Sequence, residues 1–593
     1  MNDYAQTQAA INEIPVVWRK ACSNTHPKAR YPGYNPRTEL LKRGTQRARG
    51  SRALTCDIVW DIDVPVTLRD GTIIYIDIFR PADRLDEPRI LPAIVAWSPY
   101  GKQEGMSILD DFPFRAGVPK SAVSNYQKWE GPDPAYWCAK GYAVIHPDSR
   151  GAYKSQGDIM SWGEQEALDA HDVIEWLGER NWCNGKVGLA GNSWLAISQW
   201  FIAATRPPHL AAIAPWEGFT DVYRHHIAIG GIPDDGFSEQ VFNWLAGEGN
   251  VEDVPAMIAR YPLINAYWKS KAANVGNINV PTYVVASWGN PVHTPGTFEG
   301  WAQLACPEKW LRVHDTMEWP DFYENEADLQ RFFDRYLKGE QNNWENTPTV
   351  RLSLLGAPEE RARLECDQYP PANVAFKKLY LDAASGALTE NLQPNATLEY
   401  VADDNKGGAN FSFKMPRTCN LVGPLKLCLY VSTDVAEDID LFVKLRPLTD
   451  AGKVRWQRTI PLKGIVARVA TTLLRWSKKR ELGLLFYDGP HGRLRVSHRE
   501  TSMHGGPDYL VKHPHERIIP LQGREVVMVE LNLSPLGMHF KAGDKLQLTV
   551  AGYNMSSWPM TGAAVTKSIN KGKTMIHTGE QYPAYLLLPE LPM

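Results

Sequence analysis

The chain has almost no net charge to offer a partner: 64 Lys and Arg stand against 67 Asp and Glu, leaving −3 over 593 residues. That balance gives no electrostatic case for nucleic acid or an anionic membrane surface. No window approaches the ~18 to 20 consecutive apolar residues that a membrane span needs, so no membrane partner is expected. The opening MNDYAQTQAAINEIPVVWRK lacks a basic region followed by an apolar core. No secretory signal is therefore expected, and the expected location is cytoplasmic. Cysteine is sparse and scattered, at 22, 56, 138, 183, 306, 366, 419 and 428, with no CxxC pair and no metal-ligand spacing. Free thiols in a reducing compartment follow from that spacing, and neither a disulfide framework nor a metal is expected. HExxH, Walker and GxGxxG motifs are also missing, so no cofactor is expected. His225 and His226 are adjacent and point different ways on a helix or strand, a poor clamp for one metal ion. Internal repeats and low-complexity tracts are absent.

Tryptophan, by contrast, is abundant, with 21 residues. Such rings favour cores, interfaces and small-molecule pockets. Residues 1–55 are polar and weakly periodic, and the basic stretch KRGTQRARGSR (42–52) reads as a solvated lead-in. From Cys56 the pattern changes. DIVWDIDVPVTLRDG and TIIYIDIFRP read as two strands joined at Asp70-Gly71. AIVAWSPYG, YAVIHPDSRG, KVGLAG, TYVVASW and KWLRVH read as short apolar strands. EQEALDAHDVIEWLGERN spaces its apolar residues by three or four, as one face of a helix. Apolar strands alternating with amphipathic helices indicate a mostly parallel α/β sheet covered on both faces. From 206 to 276 the alternation fails, and the sequence reads as helices rich in aromatic residues with no strand. From 346 onward short strands with turn residues predict an all-β sandwich. The run LRWSKKREL reads as a solvated face.

One stretch carries chemistry. In GLAGNSWLAISQW (188–200) a strand-like run meets Gly191, then Ser193 and a helix-like run. A serine on so tight a strand-to-helix turn is held out of its backbone at the carboxyl edge of the sheet. The next N–H then points to where an oxyanion would form. Position plus two is Leu195, so strict G-x-S-x-G fails, and a plain helix cap remains the competing reading.

With PYGK, DSRGAYKSQGD, AAIAPWEGFTDVYRH, RFFDRYLKG and GRLRVSHRE, this stretch resembles the cocaine esterase and X-prolyl dipeptidyl peptidase family of serine hydrolases, from about residue 56 to the end. The resemblance implies an α/β-hydrolase core (56–205 and 277–345), a helical cap inserted at 206–276, and a C-terminal β jelly roll at 346–593. It implies Ser193 as nucleophile, with Tyr100 and the Trp194 backbone N–H forming the oxyanion hole. Phe237, Phe242, Trp244 and Trp268 of the cap are expected to shape the substrate pocket.

The remaining triad positions depart from the family. Its acid lies in a W-x-D setting, where this chain reads SWGNP and has Asn290. Its histidine follows the next strand in G-P-W-x-H, where this chain reads LRVHDTMEWPD, with Met317 or Glu318 in place. His314 is the nearest candidate base, oriented by Asn290 or Asp315, and His293 is another. Glu318 and Asp321 are candidate acid–base groups. Three readings follow: hydrolysis through a Ser193 acyl-enzyme with His314 as base; a non-hydrolytic role on the same fold; or a degenerate binding module. The expected ligand is a small, largely apolar molecule with an ester, amide or lactone carbonyl. The departures suggest a tailoring role in secondary metabolism, and a homodimer is left open.

Overall fold

The computed structural model describes residues 14–82, 89–435, 437–460, 486–502, 507–555 and 567–592. Its core is a mixed sheet of eleven strands among the described residues. In chain order these are β1 (Arg37–Leu41), β2 (Ile58–Thr67), β3 (Ile73–Pro81), β4 (Leu91–Val95), β5 (Ala143–Asp148), β6 (Cys183–Asn192), β7 (Leu210–Trp216), β8 (Thr282–Ser287), β9 (Lys309–His314), β10 (Val350–Ser353) and β11 (Arg363–Cys366). Across the sheet they lie in the order β11-β10-β9-β8-β7-β6-β4-β5-β3-β2-β1. The run from β10 to β5 is parallel, and both flanks are antiparallel. The central strands are buried along their whole length, as the sheet position demands: β4, β5 and β8 have no exposed residue. Helices α1 (Glu164–Gly178), α2 (Trp194–Ala204), α3 (Thr294–Gln303), α4 (Glu318–Glu324) and α5 (Glu326–Phe333) accompany the strands. The carboxyl ends of β6, β8 and β9 therefore feed directly into the turns that carry Ser193, Asn290 and Glu318, the edge at which open α/β sheets hold ligands.

Three sequence expectations need correction. Leu210–Trp216 was expected to lie in a strandless insertion, yet it is the central parallel strand β7, paired to both β6 and β8. Its sequence LAAIAPW is alanine-rich and has a proline, so it lacks the β-branched signature of a buried strand. The insertion proper begins after it. It holds short helices at Asp235–Asn243, Val254–Arg260 and Ala266–Ser270 and a strand at Asn250–Glu252. Next, Val350–Ser353 and Arg363–Cys366 extend the core sheet instead of starting the C-terminal domain. Finally, the lead-in is built into the molecule. Leu40 and its neighbours form the edge strand β1, and Trp18–Lys20 pairs with Asn250–Glu252. Arg52 reaches Glu326 at 2.7 Å and Asp133 at 3.2 Å. The LRWSKKREL run lies outside the described residues.

The C-terminal domain is a second sheet of eleven strands, nearly all antiparallel, running from Ala375–Asp382 to Tyr585–Leu591. Its longest pair, Cys419–Thr433 with Val527–Phe540, is buried almost throughout. It packs on the core at the edge that carries the site. The Leu355 N–H donates to Gly537 O and the His539 N–H to Leu355 O, each at 2.9 Å. Gly537 lies under the Trp288 indole so closely that a Cβ there would stand 2.1 Å from Trp288 Cζ2. No helix among the described residues is long and apolar enough to cross a membrane, and all eight cysteines are free.

Candidate active site

Ser193 sits between β6 and α2 with φ 54° and ψ −119°, a conformation that costs a non-glycine residue on the order of 1–3 kcal/mol. The turn closes through Ser193 N–H to Glu217 O at 3.1 Å and Ile197 N–H to Ser193 O at 2.8 Å. Gly191 is obligatory here. Its φ is 137°, and a Cβ would fall 2.5 Å from Leu195 Cδ2 and 2.9 Å from Glu130 O. The Ser193 hydroxyl does not cap the helix. The Tyr100 phenol is its neighbour and is influenced by it electrostatically. Tyr100 follows β4, and its ring lies 5.7 Å from the Trp194 ring. Burial, then the nearby Glu130 carboxyl, pushes the phenol well above its ordinary range, so it stays a protonated donor. Trp194 is the first residue of α2, where a backbone N–H has no partner within its helix.

The loop that presents Tyr100 is clamped from below. The Lys128 ammonium donates to Ser98 O at 2.7 Å and to Pro147 O, and the Lys102 ammonium pairs with Asp63 and, at 2.8 Å, with Asp77. Trp194 is fixed through its indole N–H, 2.9 Å from Glu166 Oε1, which also takes Trp97 Nε1 at 3.0 Å.

The structure gives His314 to other partners. Its Nε2 lies 2.7 Å from Glu217 Oε1 and 3.5 Å from Asp321 Oδ2, and its Nδ1 faces Thr316 Oγ1 at 3.3 Å. Burial opposes charge on this ring, but Asp321 and Glu217 outweigh it and hold its pKa above the ordinary value. Asp321 is tied to Arg312 and takes the Trp216 indole N–H at 3.0 Å. The carboxylates beside Nε2 are ion-pair neighbours, and Nε2 makes no hydrogen bond among the described residues. Asp321 is one of these neighbours, and Asp315 is exposed.

Asn290 does not orient His314 either. Its Oδ1 accepts from the N–H groups of Val292 (3.0 Å) and His293 (3.2 Å), while its Nδ2 donates to Glu318 Oε2 at 3.1 Å. Glu318 opens α4 and is buried. Burial, then Glu217 and Glu130, raises its pKa well above the carboxylate range. His293 is buried against Phe219, ring centroids 6.0 Å apart, and its Nδ1 has no partner among the described residues. Burial, then His226, pushes it down to about 3, so it is neutral. His225 and His226 diverge: His225 Nε2 meets Glu299 at 2.7 Å, and His226 Nε2 meets Ser238 Oγ at 3.0 Å.

Sequence reasoning missed Glu130. Its backbone is at φ 65°, its C=O accepts from Asn192 N–H at 3.1 Å, and its Oε1 accepts from Trp319 Nε1 at 2.9 Å. Burial pushes its carboxyl up to about 8. It lies in the loop YQKWEGPDP, which has no periodicity. The only local signal is a single acid between Trp129 and Gly131.

Aromatic rings extend from Trp194 into the insertion. Trp162 lies 4.2 Å from Trp194, 5.3 Å from Phe219 and 6.0 Å from Phe242, and Phe237 meets His226 at 5.8 Å. Phe237 and Phe242 thus join the rings around Trp194. Trp244 is half-buried at the end of its helix. Trp268 is elsewhere: fully buried, it donates to Tyr261 O at 2.8 Å and packs on Tyr223 and Tyr267 inside the insertion. It is a core residue and not a pocket wall. Trp162, absent from the expected set, lies closer to Trp194.

Residues 70–255 match the X-Pro dipeptidyl-peptidase (S15 family) model, and 342–587 match the X-Pro dipeptidyl-peptidase C-terminal non-catalytic domain. Among solved structures, a CocE/NonD family hydrolase from Staphylococcus aureus is 30% identical, covers 94% of this chain and 97% of its own, and superposes with a TM-score of 0.83. The cocaine esterase of Rhodococcus sp. is 25% identical over 388 residues, 55% of this chain and 63% of the esterase, so that match spans less than two thirds of the relative. A Xaa-Pro dipeptidyl-peptidase of Lactobacillus delbrueckii is 26% identical over 204 residues, 26% of this chain and 25% of the peptidase.

Proposed function

We propose that this chain, which belongs to the cocaine esterase and X-Pro dipeptidyl-peptidase family of serine hydrolases, cleaves an ester or amide bond of a small molecule through an acyl-enzyme on Ser193. The observation that carries this reading is Ser193 on its strained elbow, its side chain not capping the helix, beside the Tyr100 phenol. Attack by Oγ on a carbonyl carbon places negative charge on the carbonyl oxygen. The Tyr100 O–H and the Trp194 N–H are the two donors for that charge, and one such donor contributes roughly 3–4 kcal/mol to the transition state. The rings of Trp194, Trp162, Phe219 and Phe242 favour an apolar acyl portion. In this reading the core is an α/β hydrolase and the C-terminal sheet domain a jelly roll that backs the site.

A fluorophosphonate probe tests the nucleophile. The expected result is one covalent adduct on the peptide containing Ser193, lost in Ser193→Ala. A well-folded chain that takes no adduct at Ser193 would remove the reading. Phe242→Ala should then raise KM for p-nitrophenyl esters of longer acyl chains more than for the acetate.

A further inference from the structure

Nucleophilic serine needs a group to take its proton, and that group needs a third to hold it. The three strand ends that meet at the site supply Ser193 after β6, Asn290 after β8 and Glu318 at the start of α4, after β9. Resting on the reading of Ser193 as nucleophile, we propose that Glu318 is its general acid–base, that Asn290 orients it, and that the Glu130 carboxyl tunes it electrostatically.

Three contacts and one electrostatic coupling place these groups around the nucleophile. Asn192, the residue before Ser193, donates its backbone N–H to Glu130 O at 3.1 Å and faces Glu318 O with its amide Nδ2 at 3.5 Å. Tyr100, beside Ser193, is acted on electrostatically by both Glu130 and Glu318. Trp319, the neighbour of Glu318 on α4, holds Glu130 Oε1 at 2.9 Å. Glu130 Oε2 is fully buried and has no hydrogen-bond partner among the described residues.

The amide at 290 fits this chemistry better than an acid would. A histidine base presents an N–H to its orienting group and calls for an acceptor there. A carboxyl base presents oxygens and calls for a donor, which the Asn290 amide supplies at 3.1 Å. An aspartate at 290 would add a further negative charge beside a carboxyl already crowded by Glu217 and Glu130. The polarity of the arrangement is inverted as a unit: donor amide, carboxyl base, serine.

The step balances without a further reactant beyond water. As Ser193 Oγ bonds to the carbonyl carbon, its proton passes to Glu318 and the carbonyl π pair moves onto oxygen. On collapse the bond to the leaving group breaks, and Glu318 returns the proton to it. Water then attacks the acyl carbon and gives its proton to Glu318, and Ser193 departs and recovers a proton. No group is oxidised or reduced.

The groups facing Glu318 are Glu130 from its loop, Glu217 at the end of β7, Tyr100 after β4, and the Arg312–Asp321–His314 network of β9 and α4. Burial and the two glutamates raise the pKa of Glu318, so the carboxylate that accepts the serine proton gains population, and the reaction should quicken, as pH rises.

The test is the rate of fluorophosphonate labelling of Ser193 in the full chain between roughly pH 6 and 10, with circular dichroism to confirm folding. Glu318→Gln should slow labelling by about 10²–10⁴-fold, and Glu318→Asp should recover part of it with the alkaline rise retained. Glu130→Gln removes a like charge and should move the rise to lower pH. Asn290→Asp adds one and should move it higher. Labelling by Glu318→Gln within about threefold of the unsubstituted chain would overturn the proposal, as would shifts in the same direction from Glu130→Gln and Asn290→Asp. If Glu318→Gln does not fold, those opposite shifts decide. Labelling that persists in Glu318→Gln sinks only this assignment, whereas no Ser193 adduct in the unsubstituted chain at any pH sinks the nucleophile itself.

Discussion

At the scale of single residues, the site is a set of local constraints imposed on one hydroxyl. Gly191 has backbone and side-chain atoms within 3 Å of any added Cβ, so Gly191→Ala should lose most esterase activity and lower the Tm. Tyr100→Phe keeps the ring against Trp194 and removes the hydroxyl proposed as an oxyanion donor. Its kcat should fall by about 10²–10³ with KM little changed, measured with p-nitrophenyl acetate. The elbow at Gly191–Trp194 was legible in the sequence because it is a contiguous strand-turn-helix motif. Glu130 was not, because its contacts arise only where a patternless loop meets α4. The surroundings of His314 were not legible either, because Glu217, 2.7 Å from its Nε2, is distant in sequence.

Among elements, the β9–α4 junction couples stability to pH. His314 has a raised pKa because Asp321 and Glu217 outweigh its burial. Its contribution is therefore fully present below the unfolded value of about 6.5 and is lost as pH rises through the higher folded value. Replacing it leaves the buried Glu217 carboxyl without its cation, while Asp321 keeps Arg312, a loss on the order of 3 kcal/mol. His314→Gln should thus melt well below the unsubstituted chain near pH 6, and the gap should narrow toward pH 9. A gap that does not change with pH would mean that the ring is neutral in the folded chain. The elements themselves were legible where periodicity is strong, as in α1 and in β9, whose span Lys309–His314 was read in full. β7 escaped because alanine and proline carry no strand signature, and β10 and β11 because short antiparallel-looking strands read alike in either domain.

For the molecule as a whole, the C-terminal domain packs against the segments that carry the candidate site. The Met317 N–H, one residue before Glu318, donates to Thr459 O at 2.6 Å. Trp288, two residues before Asn290, is buried against Gly537 while its indole donates to Ser353 O at 2.7 Å. The insertion is tied to the same domain through Arg224, whose guanidinium donates to His513 O at 3.1 Å and Pro514 O at 3.0 Å. A chain ending at residue 372 would expose these surfaces and should be insoluble or inactive, and the full chain should unfold in one calorimetric transition. Two well-separated transitions with activity surviving the second domain's loss would contradict that coupling. The two-domain plan was legible from the change of pattern near the middle of the chain. The interlock was not, because contacts between distant segments leave no periodic trace.

Rapid mixing with p-nitrophenyl acetate, followed by acid quench and peptide mass spectrometry, reads the covalent intermediate itself. The expected result is an acetyl group on the peptide that carries Ser193, formed in step with a burst of p-nitrophenol and missing from Ser193→Ala. Steady ester turnover with that peptide unmodified, or with the acetyl group on another side chain, would contradict the account.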